Sequence, residues 1–190
     1  MTRLSYIECD DADPRLRPIY DAILAYGPFA NQVRTMAHCP PVLEHIMALL
    51  FAWRETTCLS RRNIELLNVV VAKRNRCDYC LAHHEPVLAI EGMSEEGVAR
   101  LPDHENHPEL DEDDRLVVRY ALQVNDAPTR ITDRLFDQLR QRFSEAAIAE
   151  LTWRIGLAGA FNRINQALGI EIESDLVQAG EARIGGAGDR

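Results

Sequence analysis

Four residues within one short stretch of the chain can do thiol chemistry: Glu65, Cys77, Cys80 and His84. A Cys-x-x-Cys pair supplies two sulfurs that can be joined and parted as a disulfide, or half of a zinc site. Cys80 and His84 are spaced i, i+4, and Cys77 lies three residues before Cys80, so on a helix all three share one stripe. His83 points about 100° away from His84, which makes His84 the better partner for a thiol. A helix N-terminus and a nearby imidazole both favour the thiolate, the species that attacks peroxides and disulfides. Glu65 stands in an apolar run beside Val69 and Ala72. A carboxylate there is poorly solvated and placed to pass a proton to or from a thiol or an imidazole.

Two helices must hold these groups. Ser60 is an N-cap signal for a helix over 61–73, whose interior from 64 to 72 is apolar almost all round and so predicts a buried element. The β-branched run Val69-Val70-Val71 suggests a strand, but the cap, the length and the lack of alternation favour helix. Arg74-Asn75-Arg76 reads as a basic turn. The cysteine helix is predicted from Asp78 to about residue 90, stopping at Gly92, with Cys77 at its N-terminal end. Pro86 lies inside it, removing one backbone hydrogen bond and introducing a kink. Glu65 has a plain structural alternative, an ion pair with Arg61 or Arg62. Tyr79 either flanks the cysteines or packs.

Elsewhere the chain reads as helices between breakers. Residues 1–13 form a polar, acidic arm containing Cys9. Asp13-Pro14 starts a helix over 14–26 with Leu16, Ile19, Ile23 and Tyr26 inward, ended by Gly27-Pro28. A short helix is predicted over 31–38, then a longer one over 41–57 whose apolar face carries Leu43, Ile46, Met47, Leu49, Leu50 and Trp53. Ser94 caps a short helix. Residues 102–114 read as an acidic surface loop with solvated His104 and His107, and His38 and His45 have no partners at ligand spacing. Asp113 or Asp114 caps a helix to about 125, and Thr132 one over 133–143. Ser144 opens the last helix, to 168, with Ile148, Leu151, Ile155, Ala158 and Phe161 inward and Gly156 and Gly159 permitting close approach. Gly169 ends it. The sum is an all-α bundle of about seven or eight helices, arranged as an arm (1–13), a helical domain (14–170) and a tail (171–190) containing Gly185-Gly186 that is loose past residue 181.

The spacing Glu65-x11-Cys77-x2-Cys80-x3-His84 resembles the core motif of the alkyl hydroperoxidase D (AhpD-like) branch of the carboxymuconolactone decarboxylase family. The likeness is strong over 43–99 and extends loosely to 161–170, where Phe161-Asn162-Arg163-Ile164-Asn165 looks like the family's peroxidase-related members. The resemblance implies an AhpD-like multi-helix bundle that forms homo-oligomers, whether dimer, trimer or hexamer. It implies Cys80 as the peroxidatic and Cys77 as the resolving cysteine, no cofactor, and a dithiol reductant that is thioredoxin-like or lipoyl-bearing. Spacing alone leaves the order of the two cysteines open: His84 is one turn from Cys80, but both thiols feel the helix end.

Composition narrows the field. The chain has 190 residues, 46% of them hydrophobic, and a net charge of −9. That is enough for a sizeable core and disfavours non-specific nucleic-acid binding; the basic residues are scattered. No run approaches the ~20 apolar residues of a membrane span, and the first twenty residues contain no apolar leader segment. Five cysteines, an odd number, suit a reducing compartment, and a cytoplasmic location is expected. The leading expectation is a thiol-dependent peroxidase using Glu65, Cys77, Cys80 and His84. The alternatives are a protein disulfide reductase or redox sensor with the same cysteine pair, a structural zinc site completed by Cys58 or His104, the lactone decarboxylation that names the family, and a helical scaffold with two incidental thiols. By resemblance, the decarboxylating branch lacks the cysteine pair.

Overall fold

The structure, a computed structural model, describes residues 2–26 and 29–176, with backbone alone for 24–26. These residues form nine α-helices, two 3-10 turns and no strand, as the all-α reading expects. The helices are α1 (Arg17–Tyr26), α2 (Ala30–Met36), α3 (Pro40–Thr56), α4 (Arg61–Asn75), α5 (Asp78–Ile90), α6 (Glu95–Arg100), α7 (Glu112–Asp126), α8 (Asp133–Arg142) and α9 (Glu145–Leu168). The Gly27-Pro28 stop, the side chain of Tyr26 and residues 177–190, with Gly185-Gly186, lie outside the described residues. Among those described, no helix is long and apolar enough to cross a membrane.

The chain divides into two compact units, Met1–Glu55 with Asn165–Arg190, and Thr56–Ile164. In the first, Leu16, Ile19, Tyr20, Ile23, Val33, Leu43 and Met47 form a core. The arm lies along this core: Tyr20 Oη donates to the Ile7 carbonyl at 2.7 Å, and Ile7 N–H donates to the Arg34 carbonyl at 3.2 Å. Asn31 N–H donates to Glu173 Oε1 at 2.8 Å, and Gln32 Nε2 to Asn165 Oδ1 at 2.9 Å. The apolar face of α3 is narrower than its sequence suggests. Leu43 and Met47 are buried, Ile46, Leu50 and Trp53 half-buried, and Leu49 exposed.

The second unit is built around α4, which packs against α5 and α7. Leu66, Leu67, Val69, Val70 and Val71 have no exposed surface, so apolar contacts on every side hold this β-branched run helical. Burial of each such side chain contributes about 1.5–3 kcal/mol. The Ser60 hydroxyl caps α4 by accepting from Asn63 N–H at 3.1 Å; Ser94 and Thr132 cap α6 and α8 in the same way.

Three further expectations change. The cap of α7 is Asp111, accepting from Asp114 N–H at 2.8 Å, because Asp114 is already inside the helix and pairs with Arg62 Nε at 2.9 Å. His107 is fully buried rather than solvated: Nε2–H donates to the Gly97 carbonyl at 2.8 Å while Nδ1 accepts from Glu109 N–H at 3.2 Å. Along α9 the inward register takes Asn162, 2% exposed, while Phe161 is only half-buried and Gly156 faces open space.

Candidate functional site

A tight turn between α4 and α5 positions the cysteines. Cys77 N–H donates to the Ala72 carbonyl at 2.9 Å and Arg76 N–H to the Lys73 carbonyl at 3.2 Å, the bond pair that closes a helix through a left-handed residue. That residue is Arg76, at φ 57 and ψ 48, where glycine is usual. Cys77 then sits in extended geometry as the N-cap of α5, and its carbonyl accepts the Leu81 N–H at 3.0 Å. Cys80 falls in the first turn, close to the N–H groups that give a helix start its partial positive charge. The helix runs unbroken through Pro86.

The four predicted residues meet as two couples within the second unit. His84 Nδ1 lies 2.7 Å from Glu65 Oε2, joining α5 to α4. Arg61 and Arg62 take other partners, Glu91 and Asp114, so the ion-pair alternative for Glu65 does not form. A carboxylate only accepts, so the proton between them belongs to Nδ1, which leaves Nε2 as the nitrogen that can exchange a proton. Any action of His84 on a thiol or an oxygen therefore goes through Nε2. The Cys77 and Cys80 sulfurs stand 2.6 Å apart, within reach of bond closure by a small side-chain adjustment. Both cysteine residues are buried, at 1% and 5% exposure.

One neighbour escaped the reading of residue types. Asn162 Nδ2 donates to Cys80 Sγ at 3.0 Å across 82 residues of chain. Asn162 belongs to the loosely matching C-terminal segment, which was a weak signal, but nothing local in the sequence aims it at the sulfur. Its Oδ1 accepts from Asn75 Nδ2 at 2.9 Å, and Asn75 is paired with Asn125 on α7. Gly159 leaves room here: a Cβ there would stand 2.9 Å from Arg163 Nη1 and 3.3 Å from Asn125 Oδ1.

Tyr79 and His83 pack on the buried side of α5 with ring centroids 4.5 Å apart. Burial, and secondarily the neighbouring His84, push the His83 imidazole down to about 3, so it is a neutral packing residue at ordinary pH. Lys73 on α4 pairs with Glu85 on α5 at 3.2 Å, which further fixes the two helices. Among the described residues, no three His, Cys, Asp or Glu side chains gather into a metal-holding group. A cleft of about 420 Å³ lined by Tyr120, Phe136, Arg140, Ile148, Thr152 and Trp153 includes none of the four predicted residues.

The fold and this arrangement define an all-helical protein with a buried cysteine pair beside a Glu–His dyad. Residues 40–106 match the model of the carboxymuconolactone decarboxylase family, the family its motif resembles. A curated relative, the Escherichia coli (strain K12) protein named Uncharacterized protein YnjA, is 24% identical over 147 residues, covering 76% of this chain and 80% of that one. A solved structure described as an alkylhydroperoxidase AhpD core, a peroxidase-related protein from Ralstonia eutropha JMP134, superposes with a TM-score of 0.80 at 20% identity. It covers 92% of this chain and 94% of that one. The debrominase Bmp8 in complex with 2,3,4-tribromopyrrole gives a TM-score of 0.76 at 19% identity, over 96% and 97% of the two chains. At these identities the superpositions establish an AhpD-like fold.

Proposed function

We propose that the protein is a thiol-dependent peroxidase that reduces hydroperoxides through Cys80 and Cys77. The observation that carries this reading is the buried sulfur pair, 2.6 Å apart, beside a histidine whose tautomer is set by Glu65. The Cys80 thiolate attacks the distal oxygen of the hydroperoxide. An S–O bond forms, the O–O bond breaks, and the departing alkoxide takes a proton to leave as alcohol, with Cys80 now a sulfenic acid. The Cys77 thiol attacks that sulfur, forming the disulfide and releasing water. An external dithiol then exchanges with the disulfide and is itself oxidised. His84, through Nε2, moves the protons, and Glu65 stabilises the imidazolium this creates.

Burial bears on substrate and reductant. Cysteines only 1% and 5% exposed suit a small peroxide better than a disulfide on the surface of another protein, which ranks the disulfide-reductase reading second. They also suit a slender dithiol, such as a lipoyl arm, over a flat thioredoxin-like face. We place the protein in the cytoplasm as a homo-oligomer, following its resemblance and its odd number of cysteines. The debrominase of the same fold recommends a halogenated pyrrole as a control substrate.

The test follows loss of an alkyl hydroperoxide by reduced protein with a dithiol present. Fast loss in the parent, none in Cys80→Ser, and a trapped sulfenic acid in Cys77→Ser are expected. If the parent acts no faster than free dithiol, the peroxidase reading fails and disulfide exchange takes its place. If Cys77→Ser alone blocks reaction with peroxide, the cysteine roles are reversed.

A further inference from the structure

A side-chain amide presents a donor at one end and an acceptor at the other, and which end faces a neighbour is decided by the surrounding bonds. In this site the decision starts at an exposed carboxylate. Asp126 accepts from Arg74 Nε at 2.7 Å, and its other oxygen, Oδ1, accepts from Asn125 Nδ2 at 2.9 Å. A carboxylate cannot donate, so the nitrogen end of Asn125 is held toward Asp126. Asn125 Nδ2 also donates to Asn75 Oδ1 at 3.1 Å, and Asn125 Oδ1 accepts from Asn75 Nδ2 at 3.0 Å, which sets Asn75. Asn75 Nδ2 donates to Asn162 Oδ1 at 2.9 Å. The oxygen end of Asn162 is thereby occupied, and its nitrogen end faces Cys80 Sγ at 3.0 Å. The amides come from α7, α4 and α9 and share one polarity from Asp126 to the sulfur.

We propose that Asn162 is a catalytic residue that holds Cys80 as the thiolate by donating Nδ2–H to its sulfur, and that Asn75, Asn125 and Asp126 are positioning residues that fix the direction of that donor. The proposal deepens the thiol chemistry assigned above and singles out Cys80 as the sulfur that carries the negative charge. A neutral thiol is a weak acceptor and a thiolate a strong one, so a committed donor favours the ionised form. The titratable and charged groups on the elements that build the site are Cys77 at the N-cap of α5, Asp78, His83 and His84 on α5 and Glu65 on α4, with Asp126 of α7 and its partner Arg74 at the far end of the amide chain; α9 contributes the uncharged Asn162 and, beside the amides, the Arg163 guanidinium, which donates to the Gly159 carbonyl. The Glu65 carboxylate works against a thiolate. A dedicated donor therefore matters, and with Asn162 only 2% exposed, water competes little for it.

The test titrates thiolate absorbance at 240 nm in the full-length Cys77→Ser protein. Subtracting the matching Cys77→Ser, Cys80→Ser trace isolates Cys80. Asn162→Leu should raise the midpoint by about one to two pH units, a roughly 10- to 100-fold smaller thiolate fraction below the midpoint. Asn162→Asp should raise it further, by adding a carboxylate beside the sulfur. Asp126→Asn, at an exposed position, should raise it by a smaller amount, because the amide chain is then able to reverse; it carries the test alone if Asn162→Leu does not fold. A folded Asn162→Leu protein whose midpoint stays within about 0.3 units of the parent overturns the proposal, as does an unmoved Asp126→Asn where only that variant folds. No peroxide enters the titration. A protein that shows the shift yet consumes no peroxide would overturn the peroxidase reading and leave this one standing.

Discussion

His84 Nδ1 and Glu65 Oε2 meet at 2.7 Å, across nineteen residues of chain and between two helices. The contact sets the tautomer of the ring and supplies the negative charge that an imidazolium needs. Glu65→Gln keeps the shape and can still accept from Nδ1–H, but the charge is gone. We expect peroxide turnover to fall by roughly 10²-fold, within the range of acid–base contributions, while Cys77 and Cys80 still close to a disulfide when treated with a chemical oxidant. Steady-state peroxide assays beside thiol counts check both halves. Unchanged turnover would remove Glu65 from the mechanism.

Arg76 holds a left-handed backbone at φ 57 so that Cys77 can turn back onto the end of α4. A side chain in that region costs about 1–2 kcal/mol, and glycine returns part of this as greater freedom of the unfolded chain. Arg76→Gly should therefore be neutral or stabilising by up to about 1 kcal/mol, and Arg76→Val destabilising by at least that much. Urea midpoints of the three proteins would show the order. A strongly destabilised Arg76→Gly would mean that the arginine side chain, not its backbone, secures the turn.

His83 is buried, and burial with the adjacent His84 pushes its imidazole from 6.5 down to about 3. The unfolded chain takes up this proton near pH 6.5 and the folded chain does not until about pH 3. Stability from this group is thus complete above pH 6.5 and is lost as pH falls through the window between the two values, at up to roughly 1.4 kcal/mol per pH unit. Urea unfolding at a series of pH values should show that slope in the parent and a flatter one in His83→Gln. Equal slopes would show that another group governs acid lability.

Arg62 gathers three partners: Asp114 Oδ2 at 2.9 Å, the Glu91 carbonyl at 3.0 Å and the Glu109 carbonyl at 2.9 Å. Burial raises the Asp114 carboxyl against the opposing pull of this guanidinium. Removing one member leaves a buried charge, so Arg62→Met should lose about 3–5 kcal/mol. The pair Arg62→Met with Asp114→Leu should recover a large part of that loss, held back by the two carbonyls left unsatisfied. Thermal melts of the single and double variants test this, and simple additivity would show that the two side chains do not act as a pair.

Much of the helical plan was written locally. Ser60, Ser94 and Thr132 were recognisable as caps, and each accepts the N–H three residues on. Asp111 was missed because three aspartates within four consecutive acidic residues qualify as caps, and only the position of Arg62 shows that Asp114 is needed inside. His107 lay in a polar loop and looked solvated, yet the Gly97 carbonyl draws it under α6.

The motif itself is a local object. Cys77, Cys80 and His84 share a stripe because i, i+3 and i, i+4 positions stack on any helix, and the turn at Arg76 is short enough to return α5 onto α4. That much the chain determined by itself. Periodicity tells which face of a helix is covered and not what covers it. The choice of His84 over Arg61 or Arg62 for Glu65, and the aim of Asn162 at a sulfur 82 residues earlier in the chain, were decided only when α4, α5, α7 and α9 packed together. Hydrogen-bond direction at a buried sulfur depends on groups brought together from distant parts of the chain, and no spacing rule records them.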